Sequence, residues 1–256
     1  MKKKTLILKI GSSTLTLGSD RISRGKIEDI ARQIVELQSN YHIAIVSSGA
    51  IATAKHFIAV NHWKMSQSRQ ALSAIGQPIL MRIYHEIFRD FDINIAQCLL
   101  TYRDFDNREA QTNIKNTLAD LFTNNFIPII NENDTIAIDE IVFGDNDKLS
   151  AYVANLLHAE LLVLASDIDG LFDKNPQKHD DASLIAKIDS VHQCQQYIDE
   201  NPKNKLGTGG MTSKVQAAEI CSKSQTQMWI VNGAKNNFIL DAMNQKIPHT
   251  RFILNP

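Results

Sequence analysis

The segment Gly207-Thr208-Gly209-Gly210-Met211-Thr212-Ser213-Lys214 places three of the chain's eleven glycines within four residues, just before a stretch of helical period. Flexible backbone running into a helix N-terminus forms a nest of N–H groups that suits an anion. Lys214, one turn inside that helix, would reach the same anion. A second lysine, Lys9, sits at the end of an apolar run and is followed by Gly11-Ser12-Ser13. The amides of that small-residue turn would cradle phosphate while the lysine adds a full charge. The glycine-rich segment is neither a Walker A loop nor a GxGxxG dinucleotide fingerprint, and the chain carries no HRD or DFG set. Phosphate handling is therefore the chemistry these residues suggest, by a route outside those motifs.

Two further clusters are acidic and carboxamide-rich: Asn131-Glu132-Asn133-Asp134 and Gly144-Asp145-Asn146-Asp147. Taken singly, each reads as an Asx-rich turn. Neither has the ligand pattern of a calcium loop. Together they suit an amino acid, with carboxylates facing its ammonium and carboxamides or backbone amides facing its carboxylate. Ser47-Ser48-Gly49-Ala50 adds a hydroxyl and a glycine that permits close approach of a ligand.

These groups need a scaffold that gathers loop ends. Apolar, β-branched runs at Thr5 to Ile10, Ile43 to Ser47, Ile93 to Leu99, Phe126 to Ile130, Leu161 to Ala165 and Met228 to Val231 read as strands, with a further one at Arg251 to Leu254. Their continuous apolar character predicts burial on both faces. Ile27, Ile30, Ala31, Ile34 and Val35 recur at helical spacing, with Ser23 placed to cap that helix. Further helices are predicted near Ser68 to Ile75, Pro78 to Arg89, Arg108 to Thr123, Asp147 to Leu157 and Ser213 to Ser222. The alternation predicts a mainly parallel sheet between helical layers, with ligands beyond the carboxyl ends of its strands. The polar stretch from Phe172 to Gly207 breaks the alternation and suggests a second lobe within one domain.

Composition narrows the partners. The 256 residues are 43% hydrophobic, enough for a substantial core, and 27 basic residues against 28 acidic leave no overall field to draw nucleic acid or an anionic membrane. No run approaches the roughly 18 apolar residues of a membrane span, and the apolar stretch after Lys2-Lys3-Lys4 is too short for a signal peptide. Cys98, Cys194 and Cys221 are few and widely spaced, which suits a reducing cytoplasm.

Read in order, Lys9-Ile10-Gly11-Ser12-Ser13, Val46-Ser47-Ser48-Gly49-Ala50-Ile51, Gly76-Gln77, Asn131 to Asp134, Gly144 to Asp147 with Leu149-Ser150-Ala151, Ser166-Asp167 with Gly170-Leu171, and Gly207 to Lys214 make the chain resemble the glutamate 5-kinases of the amino acid kinase family. The resemblance covers nearly the whole catalytic domain. It implies a three-layer αβα sandwich around a mainly parallel sheet. The implied activity is ATP-dependent phosphorylation of the γ-carboxylate of L-glutamate, releasing ADP, as the first step of proline biosynthesis. It further implies Mg²⁺ bound mainly through the ATP phosphates rather than by protein ligands, feedback inhibition by proline, a downstream glutamyl phosphate reductase, and a homo-dimer or homo-tetramer.

Carried over by position, Ser48, Asp134 and Asn146 would bind glutamate. Lys9, Gly11, Ser166, Asp167 and Thr208, Gly209, Gly210, Met211, Thr212, Ser213 and Lys214 would hold ATP. Lys9 and Lys214 would flank the transferring phosphoryl group, and Asp147 would orient both lysines. The expected organisation is one kinase domain over 1–256, with a glutamate-binding part about 1–160, an ATP-binding part about 161–256 and no C-terminal PUA module. Three positions depart from the family pattern: Val142 in place of a common basic residue, Ala54 in place of a common glycine and Phe172 in place of a common tyrosine.

A carboxylate acceptor is already ionised near neutral pH, so the difficulty lies in bringing two anions together rather than in removing a proton. Positive charge supplied by Lys9, Lys214 and Mg²⁺ is then the catalyst. The competing readings are another activity of the same family, such as acetylglutamate or aspartate phosphorylation, and a non-catalytic sensor of ATP or amino acid. The acid-rich clusters favour a substrate ammonium over a phosphorylated acceptor, and retention of both lysines and Asp147 favours a catalyst.

Overall fold

The computed structural model describes residues 3–57, 65–137, 146–174, 176, 178–190, 193 and 210–253. The strands are β1 Lys4–Ile10, β2 Tyr41–Ser47, β3 Asn94–Leu100, β4 Phe126–Glu132, β5 Leu161–Ser166, β6 Lys187–Ile188, β7 Gln227–Asn232 and β8 Thr250–Phe252. They form one sheet in the order β3-β4-β2-β1-β5-β7-β8-β6, parallel from β3 through β7 and turning antiparallel at β7 and β8. The central strands read as apolar runs because both of their faces are covered. Leu6, Leu8 and Ile10 of β1 point into one core and Ile7 into the other.

Helices supply the two outer layers. These are α1 Ser12–Thr16, α2 Arg24–Leu37, α3 Ala50–Phe57, α4 Met65–Arg89, α5 Arg108–Thr123, α6 Asn146–Leu156, α7 Met211–Ser222 and α8 Phe238–Met243. Residues of α2, α4 and α8 fill the core on one face, and those of α5, α6 and α7 fill it on the other. The Ser23 hydroxyl accepts a hydrogen bond from the Lys26 amide, which starts α2 where its period begins.

Two sequence expectations change. The two helices predicted near Ser68 to Ile75 and Pro78 to Arg89 are one continuous helix, α4, with Pro78 inside it. Proline usually ends a helix. Here burial of Leu80, Tyr84, Ile87 and Phe88 in the core holds the second half in line with the first. Asn131 and Glu132, expected in a turn, are the last residues of β4, because its ladder with β3 runs on to pair Leu100 with Glu132. The polar stretch after Phe172, to the extent that it is described, docks on the main sheet: Lys187 and Ile188 pair with β8, and Phe172 bridges Leu184.

One buried cation ties the two halves of the chain together. Lys26 is 2% exposed, and its Nζ donates to Asp29 Oδ2 at 3.3 Å, Ala234 O at 3.3 Å, Lys235 O at 2.9 Å and Asn236 Oδ1 at 3.3 Å. Asp29 in turn accepts from the Asn237 amide, and Gln33 Oε1 accepts from the Ile239 amide. Helix α2 thereby fixes the loop that leaves the carboxyl end of β7.

Candidate active site

β1 has β2 on one side and β5 on the other, so the chain departs from it in opposite directions and a crevice opens at its carboxyl end. Lys9 lies in that part of β1, between Val46 and Leu164 in the ladder, and is 6% exposed. A Cβ built at Gly11 would stand 3.6 Å from Lys9 Nζ, so the ammonium overhangs the glycine turn. Across the crevice Gly210 is the N-cap of α7 and provides no side-chain cap, and the first turn of that helix has no acidic residue. Its backbone N–H groups are suited to an anion. Lys214, 7% exposed, projects from the same turn.

Asp147 joins these two cations. It is the second residue of α6, which packs on both β1 and α7, and it is fully buried. Lys9 Nζ stands 2.5 Å from its Oδ1 and Lys214 Nζ 3.0 Å from its Oδ2, with Ser213 Oγ donating to Oδ2 at 3.4 Å. Burial works against the charged carboxylate, but the two ammonium groups outweigh it and hold the Asp147 carboxyl far below the ordinary range. Two ammonium groups converging on one carboxylate in a buried setting make an arrangement suited to an incoming phosphate.

A second cluster lies beyond β2 and β4. Asn146 Nδ2 donates to Ser47 O at 2.9 Å, Ser48 Oγ at 3.2 Å and Asn131 Oδ1 at 2.8 Å. The donors of Asn146 are therefore committed to the protein, and this side chain has its oxygen, not its amide, to offer a ligand. That differs from the expectation that the carboxamides face a substrate carboxylate. Asn131 Nδ2 donates to Gln77 Oε1 at 2.8 Å. Asp134 Oδ2 accepts from Ser73 Oγ at 2.5 Å. Burial pushes the Asp134 carboxyl above its ordinary value, while the Ser73 hydrogen bond and the Arg69 charge draw it down. Gly49, at φ +107°, turns the chain from β2 into α3, where a side chain would be strained.

The structure thus brings together Lys9, Gly11, Ser213, Lys214 and Asp147 at one point and Ser48 and Asn146 at another, with consecutive residues of α6 linking the two. Asp134 is held at the edge of the second cluster by α4. Ser166 and Asp167 lie at the carboxyl end of β5, the strand beside β1, where Ser166 Oγ donates to Asp167 Oδ1 at 3.2 Å and Asp167 is exposed. Met211 is half-buried and Thr212 exposed on the first turn of α7. Thr208 and Gly209, like Val142, Gly144 and Asp145, lie outside the described residues. Ser73 gave no signal in the sequence, whereas Gln77 belongs to a motif of the resemblance without an assigned role and Asn131 to the carboxamide-rich cluster expected to face an amino acid. On the same edge, Asp169 receives Asn232 Nδ2 at 3.0 Å and Lys235 Nζ at 2.5 Å, a grouping that no motif signalled.

Comparison with known proteins accords with this geometry. The amino acid kinase family matches residues 4–232 of the chain. A glutamate 5-kinase of Pasteurella multocida is 42% identical over 253 residues, covering 97% of this chain and 68% of that protein. A glutamate 5-kinase of Helicobacter hepaticus is 42% identical over 241 residues, covering 94% of this chain and 90% of that protein. Among solved structures, UMP kinase from Ureaplasma parvum shares the fold with a TM-score of 0.70 at 17% identity, over 99% of this chain and 100% of that one. The chain belongs to the amino acid kinase family, among its glutamate 5-kinases.

Proposed function

We propose that the protein transfers the terminal phosphoryl group of ATP to the γ-carboxylate of L-glutamate, forming γ-glutamyl phosphate and ADP, the first step of proline biosynthesis. The observation that carries this reading is the pair Lys9 and Lys214 on one buried carboxylate, Asp147. Two ammonium groups held at a fixed spacing are suited to the equatorial oxygens of a phosphoryl group in transfer, where charge spreads as the bond to ADP breaks. The amides of Gly11 and of the first turn of α7 would support the ATP phosphates, together with Ser166, Asp167 and the segment from Thr208 to Ser213. Ser48, Asp134 and Asn146 would hold glutamate, with the Asp134 carboxylate meeting its ammonium.

Asp147 has both oxygens committed to lysine, which makes it a poor metal ligand, so Mg²⁺ would be held through the β- and γ-phosphates of ATP. Mg²⁺ held there would supply neutralisation of phosphate charge, and Lys9 and Lys214 would act on the transferring group. The two parts of the domain, about 1–160 and 161–256, would hold glutamate and ATP respectively. Family resemblance supports proline as a feedback inhibitor, a reductase that consumes the reactive acyl phosphate, a homo-oligomer and a cytoplasmic setting. Among the described residues no helix is long and apolar enough to cross a membrane.

Trapping the product with hydroxylamine tests the reading. ATP-dependent hydroxamate is expected with glutamate and not with aspartate or N-acetylglutamate. A preference for either of the others, or no hydroxamate from any acceptor, would overturn it.

A further inference from the structure

We propose that Gln77 is a specificity-determining residue of the acceptor site, its Nε2 donating a hydrogen bond to the α-carboxylate of the bound amino acid. The inference rests on the glutamate reading above and adds a residue to it.

The orientation of the Gln77 carboxamide is dictated by groups that cannot change role. The Glu132 backbone N–H, which can only donate, bonds Asn131 Oδ1 at 2.9 Å. Asn146 Nδ2 donates to the same oxygen, and its own direction is set by Ser47 O, a carbonyl that can only accept. Asn131 must therefore present Nδ2 to Gln77, and Gln77 must answer with Oε1. This turns Gln77 Nε2 away from Asn131. Gln77 is 6% exposed, and Nε2 is fully buried without a hydrogen-bond partner among the described residues. Buried amide donors are rarely left unmade, and an acceptor-hungry donor next to a binding cluster suits a ligand oxygen.

The backbone places that donor where an amino acid would end. A Cβ built at Gly76 would stand 1.8 Å from Ala50 O, so α4 runs directly against the start of α3, and Gln77 follows Gly76 at that crossing. Ser73, one turn earlier on the same face of α4, fixes the Asp134 carboxylate. One helix face therefore presents a carboxylate suited to an ammonium beside an amide donor suited to a carboxylate. Those are the two groups carried on the α-carbon of an amino acid. This end of the site lies beyond β4, two strands from β1 and hence about 10 Å across the sheet from Lys9. The α-carbon end is directed away from the lysines and the γ-carboxylate toward them.

The test compares Gln77→Glu and Gln77→Met with the unmodified enzyme. Gln77→Glu keeps an oxygen for Asn131 Nδ2 and loses the donor, and Gln77→Met loses both; thermal unfolding checks that each variant is folded. Measured by hydroxamate formation, both variants are expected to raise the KM for glutamate by about ten- to a hundredfold, with kcat and the KM for ATP unchanged. The inhibition constant of 4-aminobutyrate, which lacks the α-carboxylate, is expected to stay the same. An unchanged KM for glutamate in Gln77→Glu, or equal weakening of glutamate and 4-aminobutyrate, would overturn the proposal and leave Gln77 as a support for Asn131. An unmodified enzyme that makes no glutamyl hydroxamate would instead overturn the functional reading, and this proposal with it.

Discussion

Lys9 and Lys214 reach one carboxylate from separate layers of the fold, Lys9 from the central strand β1 and Lys214 from the first turn of α7, at 2.5 and 3.0 Å from the two oxygens of Asp147. Both lysines converge on Asp147, and in the proposed reaction their charge acts on phosphate rather than on the acceptor's α-carbon. Lys9→Ala and Lys214→Ala are each expected to lower kcat by about a hundredfold or more while the KM for glutamate changes little. Steady-state kinetics on both substrates checks this, and near-normal kcat in either variant would remove that lysine from the chemistry.

Replacing the carboxylate rather than the lysines has a different consequence. Asp147→Asn leaves two buried ammonium groups facing one another without their counter-charge, a change expected to cost about 3–5 kcal/mol. Because the lysines depress the folded-state pKa of Asp147, its contribution is complete above the unfolded pKa of about 3.9, declines as pH falls below it and is lost once pH has fallen through the lower folded value. The stability gap between the unmodified protein and Asp147→Asn should therefore be constant from neutral pH down to about pH 4 and narrow only below it. Urea denaturation across that range measures it. A gap that closed already near neutrality would contradict the pairing.

Asp134 titrates in the opposite sense. Burial raises its pKa above the ordinary carboxylate value, and only the ionised form can hold an ammonium. In the free enzyme kcat/KM for glutamate should thus begin to fall at a higher pH than an ordinary aspartate would give. The Ser73 hydrogen bond draws that pKa down. Ser73→Ala is therefore expected to move the acid limb of the kcat/KM profile upward in pH, and Asp134→Asn to abolish it while raising the KM for glutamate. A limb that stayed in place in Ser73→Ala would separate Asp134 from the acceptor.

What could be read from the chain followed from residue type and period. The covered strands are continuous apolar runs, α2 begins at a serine cap, and Lys9 and Lys214 stand near the glycines Gly11 and Gly210 as the sequence order implies. Gly76-Gln77 is legible as a motif of the resemblance but without a role, and Ser73 gives no signal, because the value of Gln77 and Ser73 lies in partners more than fifty residues away, Asn131 and Asp134, which no local pattern encodes. Lys26 reads in sequence as one more surface charge in an amphipathic helix. It is buried because the carbonyls of residues 234 and 235 come to it from the far end of the chain. The break expected at Pro78 did not occur because packing of the second half of α4 outweighs one missing backbone hydrogen bond.

Gly76 is where the acceptor site is most sensitive to a single carbon atom. An added Cβ there would lie 1.8 Å from Ala50 O, 2.7 Å from Ala50 C and 2.9 Å from Ala54 N, all of them backbone atoms that cannot rotate aside. Gly76→Ala must push α4 away from α3, and Ser73 and Gln77 would move with it. The expected result is a loss of at least about 1–3 kcal/mol of stability from overpacking. A KM for glutamate raised several-fold more than that for ATP should accompany it, since Lys9 and Lys214, proposed to face ATP, lie on other elements. Chemical denaturation and two-substrate kinetics on the same preparation check both parts. A variant as stable as the parent, or one in which both KM values rise together, would mean that the contact between α3 and α4 does not set the geometry of the acceptor site.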